Sequence, residues 1–346
     1  MALLNGAVIG CGFFAINHLN AWKDISGERD GARIVALCDR DPTRLADAAA
    51  RFGVPRTYTD AREMFAAEEL DFVDIATTAP SHRALVELAA SHGVPAICQK
   101  PLAPTFEDAK AMVTACEATG VPLMVHENFR WQSPILAVRK AIDDGAVGRP
   151  FWGRVSFRSG YDVYSGQPYL AEGERFIIED LGVHVLDVAR FLLGDVERLT
   201  ASTGRVNPQV KGEDVATMLL THQGGATSVV DCSYSSRLEE ELFPQTLIEI
   251  DGDEGSVRLS AGYRLAVTSK DGTAVSDASP TLLPWASRPW HNVQESVLLI
   301  QKHWVECLRA GTEPATSGRD NLQTYALVEA AYRSAATGQS LQPAAL

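Results

Sequence analysis

The sequence predicts two parts: an α/β part built as a doubly wound parallel sheet, then an α+β part with an open, mostly antiparallel sheet. Three observations predict this. Between residues 6 and 125, short apolar runs alternate with helix-like stretches, the pattern of strands joined by crossover helices. The first apolar run flows into a glycine-rich turn. Beyond about residue 150, short alternating segments separated by turn clusters such as QGG and DGDEG take over, which favours antiparallel neighbours. The division falls at 1–127 and 128–346.

Taken in order, 6–9 is the first strand. It runs into Gly10-Cys11-Gly12-Phe13-Phe14-Ala15, a G-x-G-x-x-A turn that opens a helix reaching Trp22. Gly10 permits the tight turn, Gly12 lets a pyrophosphate approach the backbone, and Ala15 keeps helix and strand close. The helix N-terminus favours an anion. This is the pattern of a dinucleotide-binding Rossmann domain, with Phe13 and Phe14 in the cofactor turn. The second strand, 33–38, ends at Asp39, placed to accept hydrogen bonds from ribose hydroxyls, which points to NAD. Arg40 follows and can meet a 2′-phosphate, so NADP stays open.

Helices at 42–52 and 60–68, a buried strand at 72–76 and a helix at 81–92 come next. A strand at 95–98, a helix at 105–119 and a strand at 122–125 complete the first part. Ligands bind at the carboxyl ends of such strands, and those ends carry Thr77–Pro80, Gln99–Pro101 and the run from His126 to Arg130. Lys100 stands out. An apolar strand precedes it and Pro101 fixes the backbone after it, and a cationic amine there can bind a substrate hydroxyl.

In the second part, a helix at 134–144 leads to a strand ending at Arg158 and a loop at 159–176. Arg158, Tyr161, Asp162 and Tyr164 suit a polyhydroxylated ligand, and Trp131 can supply a flat apolar wall. The stretch 176–194 reads as one apolar helix. Asp180, His184 and Asp187 fall at i, i+4 and i+7, on one face. An imidazole beside a carboxylate is how proton transfer is arranged. Asp187 is read as support for the helix or for His184. Alternating segments follow at 198–206, 214–221, 226–233, 245–251, 256–260 and 263–267. The stretch 271–289 reads as a loop, 291–310 and 321–337 as helices, and the tail 342–346 as loosely held.

Composition narrows the function. Hydrophobic residues make up 46% and charged residues 22%, as in globular proteins. The net charge of −13 and the lack of a basic cluster argue against a nucleic-acid partner. The apolar runs are too short to span a membrane. The N-terminus lacks the basic start and cleavage site of a signal peptide. Six scattered cysteines form neither a disulfide framework nor a zinc pattern, and free thiols fit a reducing cytoplasm. Asp180, His184 and Asp187 have a spacing feasible for a metal. No further soft or imidazole ligand accompanies them, so none is expected.

Across nearly its whole length the sequence resembles the Gfo/Idh/MocA oxidoreductases, the glucose-fructose oxidoreductase and inositol dehydrogenase family. Gly10-Cys11-Gly12 with His18 resembles the first fingerprint, and Thr77, Pro80 and His82 in TTAPSHRAL the second. Gln99-Lys100-Pro101 matches the catalytic EKP, with Gln in place of the usual Glu. ENFRW, with Asn128 and Arg130, resembles the segment flanking the nicotinamide. Asp180 and His184 match the D-x-x-x-H pair. The resemblance implies a dehydrogenase that removes hydride from a small sugar or polyol. Gln99 and Lys100 belong to the cofactor site, and Lys100, Asp180 and His184 are catalytic and touch substrate. His184 is the first choice of base, with an exchange of roles with Lys100 left open. It also implies a homodimer or homotetramer formed through the C-terminal sheet. Within the family, CQKPLAP, HENFRWQSP and SFRSGYDVYSGQPYLAEGERFIIEDLG resemble the members that oxidise the branched pentose D-apiose to a lactone. Inositol dehydrogenation, an NAD-retaining glycosidase and a non-enzymatic NAD-binding sensor are the alternatives.

Overall fold

The computed structural model describes residues 2–344. Two compact units are resolved by packing: Met1–Glu127 with Val297–Leu322, and Asn128–Ser296 with Gln323–Leu346.

The first unit runs β1 (Leu4–Ile9), α1 (Ala15–Ile25), β2 (Ala32–Cys38), α2 (Pro42–Phe52), β3 (Arg56–Tyr58), α3 (Ala61–Ala67), β4 (Phe72–Ile75), α4 (Ala79–Ser91), β5 (Ala96–Gln99), α5 (Phe106–Thr119) and β6 (Leu123–His126). Its six strands lie in the order β3-β2-β1-β4-β5-β6, and every pairing is parallel. The order reverses between β1 and β4, which opens a crevice at the carboxyl ends of the strands. The core strands are largely apolar, as both faces are covered. Phe72, Val73 and Ile75 are fully buried. Local signals set the helix ends. Asp41 caps α2 through Thr43 N (2.9 Å) and Arg44 N (3.3 Å), and Thr105 caps α5 through Asp108 N (3.1 Å).

The second unit contains α6 (Ser133–Asp143), β7 (Pro150–Arg158), α7 (Val183–Leu193), β8 (Val196–Gly204), β9 (Val215–His222), β10 (Thr227–Ser233), β11 (Leu247–Gly252), β12 (Gly255–Ser260), β13 (Arg264–Ser269) and β14 (Gly272–Asp277). The sheet order is β14-β13-β12-β11-β7-β10-β9-β8. All pairs are antiparallel except β7 with β10. One face is buried: Ala216, Met218 and Leu220 of β9 are 0% exposed while Leu219 is 50% exposed, the alternation of a half-covered sheet. Two long helices, α8 (His291–Ala310) and α9 (Gly318–Thr337), end the chain.

Several expectations need correction. The stretch 176–194 is not one uniform α-helix: Ile178–Gly182 forms a π turn and α7 begins at Val183. The expected loop at 271–289 contains the edge strand β14, whose residues are all exposed. The three-residue β3 was not expected. The segment Val297–Leu322 packs with the first unit, so a single cut at 127/128 does not describe the packing. Thr316 ties that segment to β6, accepting from Val125 N and donating to Val125 O, both at 2.8 Å. At the chain end, Leu341 bridges to Leu199. The tail expected to be loosely held has no regular structure at 342–344, and 345–346 lie outside the described residues. No helix among the described residues is long and apolar enough to cross a membrane.

Candidate active site

The glycine turn of the first unit has the geometry of a phosphate cradle. Gly10 has φ +101°, and a Cβ there would meet Ala76 O at 2.7 Å, so only glycine fits between the ends of β1 and β4. A Cβ at Gly12 would meet nothing within 4 Å: the backbone faces open space. No side chain caps the start of α1 at Phe14, which leaves that terminus suited to an anion. Phe13 is 69% exposed.

Asp39 stands beside this turn. Its carboxylate accepts from Cys11 N (2.6 Å) and Asp41 N (2.8 Å). Those bonds orient the group and leave lone pairs for ribose hydroxyls. Arg40 is exposed. Burial, then the Asp39 carboxylate, pushes the Cys11 thiol up to about 12, so Cys11 stays a protonated thiol in the loop.

The strand ends after β4 and β5 are joined by His82. Its ring is fully buried. Nε2 lies 3.1 Å from Thr77 O, and Nδ1 lies 3.1 Å from both Pro101 O and Leu102 O. Burial holds its pKa below the ordinary value against those carbonyls. His82 therefore braces the loop that carries Lys100 from inside the protein. Pro80 lies in the first turn of α4, and Thr77 Oγ1 accepts from Ser81 Oγ at 2.8 Å. Gln99 Oε1 accepts from Lys100 N at 2.7 Å, so the Gln99 amide holds the lysine backbone. Deeper in, His18 Nδ1 lies 2.8 Å from the buried Asp74, and His18 stacks on His126 at 4.1 Å between centroids.

In the second unit, His184 is 5% exposed. It lies flat on Phe129, with centroids 3.9 Å apart and planes 6° apart. Asp180, in the π turn, accepts from Tyr234 Oη at 3.4 Å. Burial, then Asp180, holds the Tyr234 phenol well above its ordinary pKa, so it remains a donor. Sequence reasoning missed both Phe129 and Tyr234. Phe129 lay within ENFRW, where Asn128, Arg130 and Trp131 drew notice instead. Tyr234 follows β10 in DCSYSS, with no motif to mark it.

Asp187 is turned to other work. Its carboxylate accepts from Arg130 Nη2 (2.6 Å), Arg130 Nε (2.5 Å) and Thr324 Oγ1 (2.9 Å). Arg130, expected at the cofactor, is thus buried in an ion pair under α7, 7% and 0% exposed for the two side chains. Asn128, also expected there, is buried and donates to Ser296 Oγ at 2.6 Å.

The proposed substrate contacts separate. Arg158 is not brought to the His184 group. Phe157 packs toward Phe129 and Tyr234, and the next residue on a strand points to the other face. There Arg158 pairs with Asp231 at 3.2 Å, beside Arg154 at 3.0 Å. Asp162 closes a turn, accepting from Tyr164 N and Ser165 N (both 3.1 Å) and from Ser165 Oγ. The Ser165 bonds hold its carboxyl below the usual range. Tyr161 stacks on Phe243 at 4.2 Å. Tyr164 packs near Phe176, 6.0 Å between centroids, and Trp131 is half-buried. Among the described residues no group of three or more His, Cys, Asp or Glu can hold a metal ion.

Comparison with known proteins places this geometry among relatives. Residues 4–127 match an oxidoreductase family with an NAD-binding Rossmann fold, and residues 135–258 match a GFO/IDH/MocA C-terminal domain. The chain is 64% identical over 346 residues to a D-apiose dehydrogenase of Rhizobium rhizogenes, covering 100% of this chain and 99% of that one. It is 66% identical over 337 residues to a D-apiose dehydrogenase of Paraburkholderia graminis, covering 97% and 89%. A crystal structure of an oxidoreductase from Agrobacterium radiobacter, in complex with NAD+, L-tartaric acid and magnesium, superposes with a TM-score of 0.96 at 64% identity, covering 99% and 98%.

Proposed function

The chain belongs to the Gfo/Idh/MocA oxidoreductase family, and from that premise we propose that it oxidises D-apiose to its lactone with NAD. The observation that carries the substrate is the whole-length likeness to two enzymes of that name. The chemistry asks for three things: a hydride acceptor, a proton acceptor and a group that stabilises charge on the reacting oxygen.

Bound NAD supplies the hydride acceptor. The open backbone at Gly12, the uncapped start of α1 and the oriented Asp39 fit it. Phe13 and Phe14 follow that cradle in sequence, Thr77 lies beside Gly10 at the end of β4 with Pro80 just beyond it, and all four belong to the proposed cofactor set. His184 removes the proton of the anomeric hydroxyl as the carbon loses hydride. Asp180 orients the imidazole, and Tyr234 steadies Asp180. Phe129 fixes the ring plane of His184, so its nitrogens hold one direction through turnover. Lys100 binds the reacting oxygen and stabilises its developing charge. The backbone bond from Gln99 and the brace from His82 hold that loop. The net change is one hydride to NAD and one proton to the base.

Lys100→Ala and His184→Ala test the assignment. Each should cut kcat by at least about 100-fold, the span of a lost general acid–base or oxyanion group. The NAD affinity should stay near that of the parent. Near-parental turnover in both variants removes the mechanism.

The open face of the second unit's sheet supports a homo-oligomer. Leu219 is 50% exposed, and the register from Leu219 through Val229 to Arg154 puts it on the face that carries the Arg154–Asp231–Arg158 cluster. Sedimentation of a single monomeric species at assay concentration would oppose this reading.

A further inference from the structure

We propose that Glu213 and Tyr332 are positioning residues for the dehydrogenation, acting through the start of the helix that carries Asp180 and His184. The proposal rests on the catalytic reading of that pair. A helix begins with four N–H groups that have no partner within it, and a nearby Ser, Thr, Asp or Asn usually serves them. The stretch FIIED offers none before its first turn. Instead, Glu213 Oε1 accepts from Phe176 N and Ile178 N, both at 3.2 Å. The backbone oxygen of Glu213 accepts from Ile177 N at 3.1 Å. Tyr332 Oη accepts from Glu179 N at 3.2 Å and donates to Glu213 Oε1 at 2.6 Å. The first helical bond, Asp180 N to Phe176 O at 2.8 Å, follows at once. Four successive N–H groups are therefore served by two residues distant in sequence.

What those residues hold is an unusual turn. Ile178–Gly182 is π-helical, with Val183 N bonded back to Ile178 O. A π turn carries one more residue per turn than α geometry, so it sets the angle between Asp180 and His184. It keeps that angle only while its start is fixed.

Both residues are themselves anchored. Asp214, next to Glu213, accepts from Val206 N (2.7 Å), Asn207 N (2.8 Å) and Ser235 Oγ (2.5 Å). Arg175 lies 4.0 Å over the Tyr332 ring and pairs with Glu329 at 2.6 Å and Glu179 at 3.2 Å. Burial, then Glu213, holds the Tyr332 phenol far above its ordinary pKa. It therefore stays a donor across the working pH range. The carboxylate also sits where the helix dipole favours negative charge.

The test is steady-state NADH formation from D-apiose across pH, with NAD affinity measured alongside, for Glu213→Ala, Glu213→Gln, Tyr332→Phe and His184→Ala. Losing the cap frees the turn, and a displacement near 1 Å costs up to about 100-fold. Glu213→Ala should lower kcat by about 10-fold or more and shift the acid limb of the pH profile. NAD affinity should stay within about two-fold, since the change is confined to turnover. Glu213→Gln keeps an oxygen acceptor and should recover most of the rate and the parental profile. Tyr332→Phe, which loses one hydroxyl, should fall between. Should Glu213→Ala fail to fold, Gln and Phe carry the test: parental rate in the first and a lowered rate in the second sustain the proposal. Parental rates and profiles in both Glu213→Ala and Tyr332→Phe, with His184→Ala inactive, overturn the positioning role alone. Equal losses in Glu213→Ala and Glu213→Gln overturn it too. An active His184→Ala variant overturns the catalytic reading beneath it.

Discussion

Replacing Asp187 with alanine separates support from catalysis on α7. The carboxylate takes both guanidinium bonds of Arg130 and the Thr324 hydroxyl, and the pair is almost fully buried. Removing one partner of a buried pair strands the other charge, which costs about 3–5 kcal/mol. Thr324 loses an acceptor as well, adding about 1 kcal/mol. With about 2–4 °C per kcal/mol for units of this size, the melting temperature should fall by roughly 8–24 °C. Urea unfolding followed by tryptophan fluorescence reads the same loss as a lower midpoint. Below the new transition, kcat should stay within about three-fold of the parent, as expected when no transition-state contact is lost. Joint replacement, Arg130→Met with Asp187→Leu, removes the stranded charge and should regain much of the stability. A shift under about 1 kcal/mol together with abolished turnover would refute the support role and place Asp187 with the catalytic group instead.

Two further outcomes follow from the geometry. Asp39→Ala removes a carboxylate oriented by Cys11 N and Asp41 N. NAD affinity should fall by about 10- to 100-fold, the worth of charge-assisted hydrogen bonds, and titration calorimetry measures it; unchanged affinity would exclude Asp39 from the ribose site. His222 bonds to Gly194 O (2.7 Å) and Ser228 Oγ (2.8 Å), and burial holds its pKa below the ordinary value. The unfolded chain then binds the proton first, near pH 6.5. The stability that His222 contributes is complete above that pH and is lost as pH falls toward the lower folded value. Urea midpoints between pH 7 and 5 should therefore decline less steeply in His222→Gln than in the parent, and equal slopes would contradict this.

The parts legible in the sequence are those where a residue type answers a local demand. Gly10 has to be glycine because of Ala76 O, and α2 and α8 have the bounds read from their periodicity and breakers. The hidden parts depend on partners far along the chain. The π turn escaped because its cap comes from Glu213 and Tyr332, remote from 176–179. The Arg130–Asp187 pair and the face of Arg158 needed the tertiary packing. Short, exposed β14 lacks a buried face, so its sequence carries no strong alternation of apolar residues. The packing of 297–322 with the first unit follows from contacts such as Val125 with Thr316, which no local pattern announces.

The central claim is tested most directly by following NADH formation with NAD and a panel of D-apiose, aldopentoses, aldohexoses and inositols. The highest kcat/KM is expected on D-apiose, with a lactone as product and one NADH released per lactone. Activity on inositols without activity on D-apiose, or product formation without net NADH, would contradict it.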